Sequence, residues 1–380
     1  MWVRIPPRVL SALDEIDALV DVGRRAPGSD AERRAARYLQ ARLNDLGRQA
    51  DAEPVEAWPR WPLAYALCAA LSVLGSVLSV YLPVPGAAVA LAGALLFLVD
   101  AGLLIPAMRR LLGRRASQNV ISWGPGGQPG QIVLVAHCDA GRGALALGRR
   151  LRRPFGAQPL LWAQLAVLVC CVVRVAGPDP IALSAVQFVP TVVLIVAVAL
   201  LLDIALASTR GGENDNASGV ALELLLAERF GAGRLEHFEV HVLFTGAQKA
   251  MAAGMRSFLK RHRSALGQES TVFINLDEVG SGSVHCARRE GPLITVKAHV
   301  QLQGLCDAPP FVNRSPSDGY AARLRGFPAI TISCREANGY AHPPVEEEAI
   351  ERAEAFCAEL IARLDVELGP ALAARLSSSG

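Results

Sequence analysis

The chain has 380 residues, of which 52% are hydrophobic and 19% charged, and its formal net charge is +3. It is therefore more apolar and less charged than an ordinary soluble domain. The charge is small and no basic cluster is interleaved with aromatic residues, so the sequence gives a nucleic-acid groove no support. The first twenty residues contain acids and no long apolar core. We expect no cleaved signal peptide.

Two long apolar blocks account for the excess of hydrophobic residues. Charged residues are missing from the stretches 61–99, 155–173 and 181–202. Proline and glycine at 83–86 and 177–180 break the blocks, which predicts two helical hairpins, at 61–108 and 155–203. Each helix reaches the roughly 20 apolar residues that a membrane span needs. The alternative is four buried helices of a soluble core, but charge-free runs of this length are more typical of lipid.

Arginines gather at one end of all four predicted spans. They are Arg60, Arg109, Arg110, Arg114, Arg115, Arg149, Arg150, Arg152, Arg153 and Arg210. Basic flanks stay in the cytoplasm. Both insertions are hairpins, so residues 1–60, 109–154 and 204–380 lie on one side. We expect them to form a single cytoplasmic domain on an integral membrane protein with four transmembrane helices.

Two charged residues lie inside the spans or near their ends, Asp100 and Arg174. Ionisable groups at such positions are functional candidates. The alternative, which we favour, is that both extend to the membrane interface. The eight cysteines are scattered, form no CxxC pair and predict a reducing compartment without a disulfide framework.

The remaining stretches alternate between strand and helix patterns. Ser29 and Glu32 predict a capping box at the start of a helix over 30–46. Further strands are predicted at 118–122, 131–136, 237–244, 272–276 and 327–333, and further helices at about 218–230, up to about 263, and 346–364. This alternation predicts an α/β fold, with a mixed, mostly parallel sheet covered by helices on both faces. Ligands of such sheets bind at the carboxyl ends of the strands.

Acidic and imidazole side chains follow these strands. His137 ends one strand and is followed by Asp139, which can hold the imidazole in its ligating tautomer. Asp215 precedes a helix, Asp277 ends another strand, and His342 lies in the loop before the last helix. Each has an ordinary structural explanation, such as a hydrogen-bonded loop histidine or a helix cap.

In this order the residues resemble a known family, the co-catalytic zinc aminopeptidases, which form peptidase family twenty-eight of the metallopeptidases. The family also contains glutamate carboxypeptidases, glutaminyl cyclases and inactive receptor relatives. The resemblance covers the three soluble stretches and not the hairpins. The similar blocks are 26–29, 119–121 with 137–139, 215–219, 275–277, 317–318 and 326–330 with His342.

The resemblance implies a zinc site with defined roles. His137 and Asp277 would hold one zinc, Asp215 would bridge, and His342 would hold the second zinc. Asp139 would orient His137.

The sequence departs from the family where two adjacent glutamates are expected. Gln248 stands at the general-base position and Lys249 at a zinc-ligand position. An amide cannot accept the proton of the attacking water, which typically costs about 10²–10⁴-fold in rate. An ammonium has no lone pair to donate to a metal. We expect Lys249 to replace the second metal ion and to form a salt bridge with Asp215, because a buried carboxylate needs a partner. Glu278 or the acidic run 346–348 could replace the base, but we expect Glu278 to point to the opposite side of its strand.

A second departure lies in the C-terminal block, where Gly319 follows Asp318 and the family commonly has histidine. Three hypotheses remain open. The favoured one is a membrane-anchored pseudopeptidase that binds a peptide or another membrane protein, with one zinc ion or none. The second is an active zinc hydrolase that uses His137, Asp215 and Asp277, with two zinc ions if the pattern is rescued. In the third, the hairpins carry the function and the soluble domain regulates them.

Overall fold

The computed structural model describes residues 11–144, 156–177, 180–231, 235–336 and 344–371. Its helices are α1 (Ala12–Asp21), α2 (Asp30–Asp45), α3 (Trp61–Ser79), α4 (Pro83–Phe97), α5 (Ala157–Val175), α6 (Pro180–Leu206), α7 (Ser218–Arg229), α8 (Ala253–Arg261), α9 (Val300–Leu305), α10 (Asp318–Arg323) and α11 (Glu347–Glu367). Its strands are β1 (Asp51–Ala57), β2 (Arg115–Ser122), β3 (Gly130–His137), β4 (Phe238–Thr245), β5 (Thr271–Leu276), β6 (Ser283–Glu290), β7 (Val296–Lys297), β8 (Pro310–Asn313) and β9 (Ala329–Arg335).

The strands form one mixed sheet in the order β1-β2-β4-β3-β5-β9-β6-β7, with β8 paired to β6. The predicted α/β fold is confirmed. The four central strands, β4, β3, β5 and β9, are parallel, whereas β2 and β6 run antiparallel to their neighbours in this order. Parallel pairing is thus concentrated at the centre, where the strands end on a common edge.

Alternate residues of β3 enter two different cores. Ile132 and Leu134 face a core shared with α1, α2, α7 and α11. Val133 and Val135 face a second core shared with α8, α10 and the apolar hairpins. Because side chains alternate along a strand, this continuous apolar run covers both faces of the sheet.

Within the described residues, four helices are long and apolar enough to cross a membrane, at Trp61–Ser79, Pro83–Gly102, Ala157–Val175 and Ile181–Leu206. The first hairpin was expected to contain helices at about 62–82 and 87–108. Instead the second helix starts at Pro83, since proline suits the first turn of a helix, and its last turn ends at Gly102.

The outward side chains of the hairpins are large and apolar. Trp162 and Phe188 are 69% and 68% exposed. The described part of the chain therefore does not enclose the hairpins on all sides, which is compatible with membrane anchoring.

We had expected the two charged residues of the hairpins to extend to the membrane interface, but both lie buried in the protein. Asp100 and Arg109 are both fully buried and form an ion pair, and the backbone N–H of Arg109 donates to Asp100 Oδ2 over 3.2 Å. Arg174 is 8% exposed and donates to Ser184 Oγ and Gln187 Oε1 at 2.9 and 3.1 Å. Each charged group has a polar partner inside the protein, so it does not need water to stabilise its charge.

We expected a reducing compartment without a disulfide framework, and the structure has one disulfide in the described residues, between Cys286 of β6 and Cys306 after α9. Twenty residues separate them, so no short spacing pattern reveals the pair. Disulfides are rare in the reducing cytosol. This bond and the arginine asymmetry therefore favour opposite sides of the membrane for the soluble stretches.

Candidate metal centre

His137 is the last residue of β3 and lies at the carboxyl edge of the parallel strands. Its side chain is 1% exposed. Nδ1 lies 2.9 Å from the backbone oxygen of Asp139 and 3.2 Å from Asp139 Oδ1. A donor hydrogen bond at Nδ1 leaves Nε2 with the lone pair, directed to the space beyond the strand ends.

Asp215 and Asp277 approach this space from two different elements. Asp277 directly follows β5, and Asp215 lies in the turn before α7. Asn216 joins the two elements, because its Nδ2 donates to the oxygen of Leu276 over 2.8 Å and its Oδ1 accepts from the N–H of Glu278 over 3.0 Å.

The geometry of these three side chains fits a single zinc ion. Their donor atoms all lie within 4.8 Å of one another. His137 Nε2 is 3.4 Å from Asp215 Oδ1 and 3.4 Å from Asp277 Oδ1. Zinc bonds of about 2.0–2.2 Å in a tetrahedron separate neighbouring ligands by about 3.3–3.6 Å. His137 Nε2 and Asp277 Oδ1 are buried and have no hydrogen-bond partner among the described residues.

The turn after β4 carries the two residues that replace glutamates of the family pattern. The carboxylate of Asp139 holds this turn, because Oδ1 and Oδ2 accept from the backbone N–H groups of Gln248 and Lys249 at 3.0 and 2.8 Å. Asp139 thus contacts both His137 and the turn. Gln248 is 3% exposed, and its Nε2 donates to the oxygen of Pro316 over 3.0 Å.

Lys249 extends into the site and pairs with the central carboxylate. Its Nζ lies 2.6 Å from Asp215 Oδ1, and the side chains of Lys249 and Asp215 are 26% and 16% exposed. The salt bridge that the sequence led us to expect is present. Burial lowers the pKa of Lys249, but the carboxylates of Asp215, Asp277 and Glu278 raise it by more, so the ammonium stays charged.

The acids of the site also act on His137. Burial and the charge of Lys249 lower the pKa of His137, but the nearby carboxylates of Asp139, Asp215 and Asp277 raise it well above its usual value. For Asp215, burial raises the pKa, whereas Lys249 and His137 lower it by more. The ammonium of Lys249 therefore neutralises part of the acidic charge of the site.

The charge of Glu278 is close enough to the site to raise the pKa of Lys249, and the φ of Glu278 is +57°, outside the strand conformation. The strand ends at Leu276, so the alternation of side chains no longer applies two residues later. By contrast, the run 346–348 is exposed at the start of α11. His342 lies outside the described residues.

Two buried acids near the site were not identified as site residues from the sequence. Glu32 accepts at 2.7 Å from the N–H of Gly28 and at 2.7 Å from that of Ala247, next to Gln248. Ser29 caps α2 as predicted, but Glu32 accepts from the N–H of Gly28 and not, as a capping box requires, from that of Ser29. Burial and nearby Asp139 raise its pKa to about 8. The sequence showed Glu32 only as an acid in the first turn of a helix, three residues after Ser29.

The second acid, Asp318, accepts from Thr245 Oγ1 over 2.5 Å, and its Oδ1 is buried without a hydrogen-bond partner in the described part of the chain. Burial raises its pKa to about 7, against the hydrogen bond from Thr245, which lowers it.

Comparisons with known proteins agree with this architecture. The model of Peptidase family M28 matches residues 202–355. No curated protein matches the chain. A Zn-dependent exopeptidase from Parabacteroides distasonis aligns with a TM-score of 0.52 at 12% identity, over 94% of this chain and 97% of that one.

Two further solved structures have the same fold. Glutaminyl cyclase from Bacteroides thetaiotaomicron, bound to N-acetylhistamine, aligns with a TM-score of 0.52 at 13% identity over 93% of this chain and 96% of that one. The zinc aminopeptidase BSAP from Bacillus subtilis aligns with a TM-score of 0.50 at 11% identity over 92% and 93%. At these identities the likeness shows the fold alone.

Proposed function

We propose that this zinc-aminopeptidase-like chain of peptidase family M28 is a membrane-anchored pseudopeptidase, which binds a peptide without cleaving it. The observation that supports this most directly is the salt bridge of 2.6 Å between Lys249 Nζ and Asp215 Oδ1. The ammonium pairs with the carboxylate of Asp215, which would otherwise be available to metal ions. It also repels a second cation from the same space.

The amide of Gln248 supports the loss of hydrolysis. A general base needs a proton-accepting group with a pKa suited to the reaction, and a carboxamide has none. Gln248 Oε1 and Asp277 Oδ1 are buried acceptors without hydrogen-bond partners in the ranges that the structure describes. Such acceptors suit the amino terminus of a peptide, which offers several N–H donors.

A second candidate function is an active enzyme with one zinc ion. The two separations of 3.4 Å from His137 Nε2 favour it, since they suit three ligands of one ion. His137, Asp215 and Asp277 would hold the zinc, which would supply Lewis-acid activation. Glu278 would be the available carboxylate for a proton, since it acts on Lys249 within the same site.

Metal content and activity of the full-length protein in detergent test the proposal. We expect the wild type to contain at most one zinc per chain by elemental analysis and not to hydrolyse aminoacyl amides. The double variant Gln248→Glu, Lys249→Glu restores both family carboxylates, so zinc uptake should rise and some aminopeptidase activity should appear. Lys260→Glu, on the exposed side of α8, is the matched charge reversal and should change neither.

Two zinc ions in the wild type together with hydrolysis of aminoacyl amides would refute the pseudopeptidase. One zinc with hydrolysis that depends on Glu278 would establish the second candidate instead.

A further inference from the structure

A cavity of about 310 Å³ lies where the first hairpin meets the soluble domain. One wall is the segment that follows the span Pro83–Gly102, with Leu103, Leu104 and Ile105. The other wall comes from α8 and the end of α10, with Arg256, Leu324 and Arg325. We call it the junction cavity. It combines an apolar wall with two guanidinium groups.

The arginines of the junction cavity lack an anion. Arg256 is half-buried, and neither its side chain nor that of Arg325 forms an ion pair or hydrogen bond with a described residue. The nearby carboxylate of Asp100 is already bound by Arg109. A half-buried guanidinium without a hydrogen-bonded partner is unfavourable, so this site favours an anionic ligand.

The charges around Arg256 reinforce this preference. Burial and the cations Arg109, Arg325 and Arg110 together lower the pKa of Arg256 to about 10, whereas Asp100 raises it. More guanidinium groups than carboxylates therefore act on Arg256. The cluster has a net positive charge that no described side chain neutralises.

The apolar wall shows which kind of anion fits. Leu103 and Ile105 are 49% and 48% exposed, and they directly follow the last turn of the span. A free anion gains nothing from these side chains. A lipid gains from both walls, because its acyl chains bury the apolar groups while its phosphate meets the arginines.

We infer that the junction cavity binds the phosphate headgroup of an acidic phospholipid of the surrounding bilayer. Arg256 and Arg325 hold the phosphate, which accepts charge-assisted hydrogen bonds from the planar guanidinium groups. The acyl chains leave the cavity along Leu103 and Ile105. The inference rests on the membrane anchoring in the proposed function, and it is independent of whether the metal centre is active.

The test uses the full-length protein in nanodiscs of phosphatidylcholine with a minor fraction of phosphatidylglycerol. Native mass spectrometry after release counts the retained phosphatidylglycerol. We expect selective retention by the wild type, weakened on the order of tenfold or more in Arg256→Gln, Arg325→Gln, since the charged hydrogen bonds to the phosphate are lost. Arg37→Gln, Arg263→Gln removes the same charge from exposed positions and should retain the lipid.

Arg256→Lys keeps the charge and should keep part of the binding. It therefore distinguishes loss of the binding site from misfolding of the double variant. Equal retention of phosphatidylcholine, or retention unchanged in the double variant, would overturn the inference. So would displacement by inorganic phosphate at concentrations that leave bulk lipid in place, which would identify a soluble anion as the ligand. A protein that alkaline carbonate removes from pure phosphatidylcholine vesicles would instead refute the anchoring itself.

Discussion

Replacing Lys249 with methionine removes the ammonium while keeping a side chain of similar length. At an effective dielectric constant of about 20, charges separated by the 2.6 Å between Nζ and Asp215 Oδ1 attract by about 6 kcal/mol. Dehydration of both groups offsets most of this attraction. Losing one partner costs about 3–5 kcal/mol in a fully buried pair, whereas an exposed pair is worth about 0–1 kcal/mol. With side chains 26% and 16% exposed, we expect a loss of about 2 kcal/mol.

Thermal unfolding of the full-length protein in detergent, followed by tryptophan fluorescence, measures this loss. In the presence of a chelator, Tm of Lys249→Met should fall by about 4–8 °C, since 1 kcal/mol corresponds to about 2–4 °C for a domain of this size. Zinc should restore Tm, because an ion that binds only the native state stabilises it by about 2.7 kcal/mol at 100 times its Kd.

The wild type should respond weakly to zinc, since its Asp215 is already paired, and Lys260→Met should behave as the wild type does. The reasoning fails if Lys249→Met unfolds at the wild-type temperature in chelator. It also fails if zinc stabilises the wild type as much as the variant, because the ammonium would then not compete with the metal.

Two further predictions concern pH and orientation. The pKa of Asp318 is raised to about 7 in the folded state. Its contribution to the free energy of unfolding is therefore complete below the unfolded pKa of about 4 and is lost as the pH rises through 7. Asp318→Asn should flatten this part of the stability–pH curve, and curves of unchanged slope would contradict the assignment. As the arginines predict, reporter fusions at 80–82 and 177–180 should report the side of the membrane opposite to the cytoplasm, and a C-terminal fusion should report the cytoplasm. A C-terminus outside the cytoplasm would show that the Cys286–Cys306 disulfide predicts the orientation better than the arginines do.

Several features of the site could be predicted from strand ends alone. His137 ends β3 and Asp277 directly follows β5, which is its parallel neighbour. Their meeting at one edge could therefore be predicted from the alternation of strands and helices. Asp215 could be added because the family resemblance supplied its role. The position of Lys249 then followed from charge, since a buried carboxylate needs a partner.

Other features depend on contacts that the sequence pattern does not contain. Glu278 has a left-handed backbone, so strand alternation does not apply to it. Glu32 reaches the N–H of Ala247 across 215 residues of sequence. The expectation for Asp100 assumed that water was its nearest partner, whereas the chain folds Arg109 onto it.

The short edge strands were missed for a similar reason. β1 is half exposed and contains Pro54, and β8 has only four residues. Neither has the apolar alternation that identifies a strand from one sequence. Their conformation is imposed by pairing with β2 and β6.

The strand order has a consequence for biogenesis. The ribosome completes β2 and β3 before it makes the second hairpin, but the strand that pairs with both of them, β4, is made only afterwards. While α5 and α6 are being made, the facing edges of β2 and β3 have no strand between them, and such open edges readily pair with other chains. Trimming either terminus cannot yield the soluble domain, since its sheet draws on sequence before, between and after the hairpins. A soluble version needs both hairpins replaced by short linkers, one from β1 to β2 and one from β3 to the Asp215 turn.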